Sequence, residues 1–194
     1  MAHLRMVAAI PLLCAVTLAA AAETVTQAGA EFSERVQVDD TELRLAGTGV
    51  TKYRLIFTVC AVGLYVPEGT PRDAVLDAET PRRLEIEYFY DISADDIVKA
   101  SMKVLKDQLS GQAMRASEAQ LRRWHQTYRP VEAGDRYTMT YRPGEGTTLR
   151  LNGQTLITLS GAEFARTYFG IWLKGQAPLS ASLRDDLLTG LTED

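Results

Sequence analysis

Two cations stand at the entrance of the most apolar stretch in the chain. Lys52 and Arg54 flank Tyr53 at the start of YRLIFTVCAVGLYV, residues 53–66. A cation at the mouth of an apolar cleft can hold a carboxylate or phenolate headgroup while the cleft takes the tail. The plain alternative is that both side chains reach solvent at a strand end. Cys60 lies in the same stretch, but a thiol needs a nearby base to act as a nucleophile. The only imidazole after residue 22 is His125, far off in sequence. Cys60 therefore reads as a packed core residue. His125, beside Trp124, reads as a helix-surface residue, with haem ligation as its functional alternative. One His and one Cys do not make a zinc site, which usually needs three or four such ligands.

The remaining chemistry-bearing groups have structural readings. Asp95-Asp96 and Asp185-Asp186 fall early in predicted helices. Adjacent residues do not face each other on a helix, so the pairs read as caps and dipole partners rather than acid/base dyads. Gly47-Thr48-Gly49 is a weak phosphate signal, because no helix follows to supply an N-terminal dipole. Two glycines there allow a sharp bend or a close backbone approach. Gly144-Glu145-Gly146 reads as a hairpin turn.

These residues must be positioned by an ordinary globular domain. The chain has 194 residues, 46% hydrophobic and 24% charged. Arg5, the apolar run Met6–Ala20 and Ala20-Ala21-Ala22 read as a secretory signal over residues 1–22. An uncleaved anchor is the alternative. Leu13 before Cys14 is too large for a lipoprotein signal. The expected mature chain, 23–194, is one exported, soluble domain. Losing Arg5 takes the 21 basic residues to 20 against 25 acidic, a net charge of −5. That balance excludes nucleic acid as a partner, since binding it rests on phosphate neutralisation. Cys60 is left without a disulfide partner, so stability comes from packing.

Residues 53–66 predict one long strand. Apolar residues occupy both alternating sets, which requires cover from two sides. Residues 23–31 read as a loose lead-in. Residues 32–38 and 42–45 predict short strands joined through Asp39-Asp40, residues 72–76 a short helix, and residues 83–90 a strand with one buried face. Ser93 caps a helix with Ile97, Ser101, Val104, Leu105 and Gln108 on one face. Ser117 is placed to cap a second, bearing Leu121, Trp124 and Tyr128 and stopped by Pro130. Three strands follow within residues 137–159, and the Asn152-Gly153 turn sets Leu149 opposite Leu156. Ser160 opens a helix with the stripe Phe164, Tyr168, Ile171 and Trp172. Residues 182–191 form a last short helix.

In order along the chain, GTG (47–49), CAVGLYV (60–66), AGDRYTMTYRPGEGTTLRLNG (133–153), GAEFARTYFGIWLKGQAPLS (161–180) and LRDDLL (183–188) resemble the chalcone isomerase-like family, in particular its exported bacterial branch. The resemblance implies an α+β open-faced β-sandwich: a large antiparallel sheet, a helical layer on one face and a cleft between them. It also implies a periplasmic protein. Plant enzymes of the family close chalcones with an Arg, a Thr, a Tyr and an Asn. The Thr falls on Cys60, the Tyr and Asn fall close to Ser93 and Ala100, and the Arg falls on Lys52 or Arg54. Plastid relatives are similar to fatty-acid carriers, and fungal mitochondrial relatives to haem binders. The expected function is a non-catalytic binder of a small apolar acid, with Lys52, Arg54 and Cys60 toward the ligand and no cofactor unless haem. An isomerase with a rebuilt site, or a structural envelope protein, are the alternatives.

Overall fold

The computed structural model describes residues 23–53, 57–176 and 178–193. The expected signal (1–22) and Arg54 lie outside the described residues. The strands are β1 (Thr24–Gln27), β2 (Ala30–Ser33), β3 (Arg35–Val38), β4 (Thr41–Tyr53), β5 (Phe57–Val66), β6 (Arg82–Tyr88), β7 (Arg136–Arg142), β8 (Gly146–Leu151) and β9 (Gln154–Leu159). The helices are α1 (Ala94–Gln108), α2 (Gly111–His125), α3 (Ala162–Leu173) and α4 (Ala181–Leu187). Strands β3 to β9 form one seven-stranded antiparallel sheet in chain order, and β1 and β2 form a separate hairpin. This is the open-faced α+β arrangement expected from the sequence. Among the described residues, no helix is long and apolar enough to cross a membrane.

The central strand is covered from two sides, as its pattern demanded. Cys60, Val62, Leu64 and Val66 join the main core with residues of all four helices, while Ala61 and Tyr65 pack with Ala30, Phe32 and Leu43 in a second cluster. The second cover comes from the hairpin β1–β2, in the segment expected to be a loose lead-in. Ala28 (φ 52°) and Gly29 (φ 97°) make its tight turn. Positive φ at both positions is what a two-residue hairpin loop requires.

Of the predicted strand 53–66, residues 57–66 are β5, whereas Tyr53 belongs to β4. Tyr53 closes β4 and pairs with Phe57, the first residue of β5. The chain therefore reverses inside an apolar run. The predicted short strand 42–45 is the start of the 13-residue β4. Gly47 and Gly49 sit inside it because α4 crosses there. A β-carbon on Gly49 would lie 2.7 Å from the Leu183 side chain.

Helix α1 starts as predicted: the Ser93 hydroxyl accepts from the Asp96 amide at 3.1 Å. Helix α2 starts at Gly111, and Ser110 rather than Ser117 caps it, accepting from the Ala113 amide at 3.2 Å. At α3 the N-cap is Gly161 (φ 108°), without a side-chain bond, so Ser160 does not cap. Leu149 pairs with Ile157 instead of Leu156, because the β8–β9 register shifts between Leu149 and Arg150.

Candidate functional site

Between the sheet and the helices lies a cavity of about 140 Å³. Cys60, Tyr88, Tyr137 and Met139 form its sheet wall; Ile97, Ala100 and Ser101 of α1 and Trp172 of α3 form the opposite wall. Cavities of about 150 Å³ lined by apolar groups hold a benzene-sized guest. Through Thr51, Val59, Ile92, Ala100 and Leu179 it opens into a wider outer cleft of about 1500 Å³. Lys52, Phe57, Tyr90 and Lys103 line that outer part together with Asp91, Asp107 and Asp186.

A β-bulge shapes the opening. Thr51 pairs with Cys60, but Lys52 pairs with Thr58, so Val59 has no partner in β4. Regular strands send consecutive side chains to opposite faces. Here Val59 and Cys60 both line the inner cavity, and Thr51 and Lys52 both line the outer cleft. Bulges re-aim side chains in this way beside functional sites.

Among the described residues, the inner wall holds hydroxyls and a thiol but no cation. Burial pushes the Cys60 thiol up to about 11 and the Tyr88 phenol well above its usual value. Both are neutral at pH 7. The Tyr128 and Tyr168 hydroxyls lie 3.0 Å apart, and the Tyr137 hydroxyl donates to the Arg129 carbonyl at 3.0 Å. Thr51 Oγ1 is buried without a hydrogen bond of good geometry, and its polar neighbour is the Cys60 thiol. The one ionised group on the wall is Asp96 at the opening, where Ser93 and Lys99 hold its carboxyl below the usual value. Around the protonated Cys60 thiol the described wall is mostly apolar and is equipped to receive an apolar body.

The residues picked out from sequence are separated by the fold. Cys60 is on the inner wall; Lys52 is exposed on the outer cleft. Ser93 caps α1, and Ala100 presents a methyl group to both spaces. His125 is half-buried rather than fully on the surface, with its ring 6.4 Å from Tyr128 and 5.8 Å from Tyr168, and it lines neither space. Sequence reasoning did not pick out Thr51, Tyr88 or Tyr128. Alternation along β4 puts Thr51 and Lys52 on opposite faces, so only the bulge brings them together. Among the described residues, no group of three or more His, Cys, Asp or Glu side chains could hold a metal ion.

The model of the chalcone isomerase-like family matches residues 24–189. The chain belongs to the chalcone isomerase-like family. No curated protein matches the chain. Among solved structures, a fatty-acid binding protein from Arabidopsis thaliana is similar with a TM-score of 0.67 and 16% identity, over 86% of this chain and 96% of that one. At that identity the likeness is one of fold.

Proposed function

We propose that this protein is a non-catalytic carrier of a small apolar acid of the fatty-acid class, exported to the periplasm. The observation that carries the reading is the cleft itself: an inner cavity with no cation on its wall among the described residues, opening past Thr51 to a rim that holds Lys52 and Lys103. A carboxylate buried without a partner costs too much to be placed at depth. The tail goes in, and the headgroup stays at the wet rim, where Lys52 and Lys103 stand. The structural likeness to a fatty-acid binding protein supports the same reading. An isomerase of the chalcone type needs placed donors for a developing negative charge; among the described residues, the one ionised group on the inner wall is the Asp96 carboxylate, which repels such a charge. Haem is not favoured, because the inner cavity measures about 140 Å³ and His125 is not on its wall.

Native mass spectrometry and an absorbance spectrum of the mature protein, purified from an export-competent host, test this reading. A bound mass in the fatty-acid range, or saturable binding of decanoic acid weakened in Lys52→Ala, is expected. No binding of any fatty acid would sink it, and a Soret band would redirect it to haem.

A further inference from the structure

We propose that Thr51, with Cys60 beside it, forms a subsite for a neutral oxygen on the ligand chain, so that the preferred ligand carries a hydroxyl or oxo group a few carbons from its carboxylate. The inference rests on the carrier reading above and narrows it to one class of acid.

Three observations on this stretch converge. Thr51 Oγ1 is buried and makes no hydrogen bond of good geometry within the protein; the Cys60 thiol beside it is only a weak partner. Most buried hydroxyls are paired, and one left alone loses the full cost of its desolvation. The bulge at Thr51 and Lys52 aims that hydroxyl into the cleft on the same side as the Lys52 cation. Cys60, the partner of Thr51 across the strands, adds a second polar atom on the same wall. Burial keeps its thiol protonated, at about 11.

The chemistry of the occupant follows from charge. Neither group is ionised at neutral pH, and among the described residues no Lys or Arg shares the inner wall. A second carboxylate would be desolvated there without a counter-ion. A hydroxyl or a carbonyl oxygen suits a neutral donor. The position along the ligand follows from the chain. Thr51 belongs to the wall of both the inner cavity and the outer cleft, and it immediately precedes Lys52. A ligand with its carboxylate at the rim passes Thr51 within its first few carbons. A site built to pair a polar group discriminates against the analogue that lacks it, because its own group is then left unpaired.

The test compares decanoic acid with β-hydroxydecanoic acid by isothermal titration on the full mature chain. The hydroxy acid is expected to bind about five- to tenfold more tightly, the worth of one net hydrogen bond. Thr51→Val keeps the shape and removes the hydroxyl, and should bring the two affinities together. Thr51→Ser restores the hydroxyl and should restore the preference, which separates the subsite from general damage to the strand. Equal affinities in the unmodified protein, or a preference that survives Thr51→Val, overturns the subsite while leaving the carrier reading standing. Failure of both acids to bind overturns the carrier reading and this inference with it.

Discussion

Gly47 lies directly beneath Asp186: a β-carbon on Gly47 would sit 2.2 Å from the Asp186 carbonyl oxygen and 2.8 Å from that of Leu187. Both obstacles are backbone, so neither can swing aside. Gly47→Ala must push α4 off the sheet or bend β4. Overpacking of this kind costs about 1–3 kcal/mol, and more where the obstacle is rigid. We expect a loss of at least about 2 kcal/mol in urea unfolding. A midpoint equal to that of the unmodified protein would show that α4 does not cross the sheet at this glycine.

Arg136 is expected to matter for a different reason. It donates to the Glu85 carboxylate at 2.8 Å and to the Glu31 carbonyl at 2.7 Å, it pairs with Glu87, and it lies 5.0 Å from the Phe32 ring centre. Glu85 is nearly fully buried and also bonds Arg83 at 2.7 Å. Arg136→Met takes away one of its two cations and loosens the hairpin that carries Phe32. Breaking a buried ion pair by removing one partner typically costs about 3–5 kcal/mol, and Arg83 remains, so the expected loss is about 3 kcal/mol. Glu85→Gln in the same protein should recover part of it. A double variant as unstable as the sum of the two single ones would show that the charges are not coupled.

Much of this arrangement is written locally. The Ser93 cap, the Asn152-Gly153 turn and the buried stripe Phe164, Tyr168, Ile171 and Trp172 each depend on residues within one or two turns of one another, and each is in place. What the sequence leaves out is long-range. Its two-faced strand demanded a second cover but could not say that β1 and β2 supply it. The pair Gly47 and Gly49 marked a close approach without naming α4. The reversal between Tyr53 and Phe57 falls in a run with no Gly, Pro, Asn or Asp to announce it, so the last residue of β4 reads as the start of β5. The candidate site suffered most. Cys60 was visible through its motif, whereas Thr51 joins the cleft only through a bulge, and a bulge has no signature in alternation alone.

Trp172 tests the placement of α3. It is 8% exposed, packs with its ring 6.2 Å from that of Tyr168 and forms part of the inner wall. Truncation of a buried Trp to Ala costs about 3–5 kcal/mol. One side of this ring already borders a cavity, so the expected loss is at the low end, about 3 kcal/mol. The measurement is denaturant unfolding without ligand. A loss below about 1 kcal/mol would mean that the indole is not part of the core.

His125 gives the fold a dependence on pH that can be signed. Its Nε2 is buried without a partner, and burial holds the imidazole below its usual 6.5. The rings of Tyr128 and Tyr168 face it, and the charged neighbours in the last turn of its own helix are Arg122 and Arg123. As pH falls through the usual value, the unfolded chain takes up a proton before the folded one does. Stability therefore rises with pH across that window and falls on acidification, until the folded imidazole also titrates. Asp96 and Asp135 act elsewhere: their carboxyls are held below 3.8, so their contribution is complete above that value and is lost only at lower pH. The urea midpoint should drop between about pH 7 and about pH 5, and drop less in His125→Gln, which cannot take up the proton. Equal drops in the two proteins would place the imidazole in solvent and α2 in a different rotation about its axis.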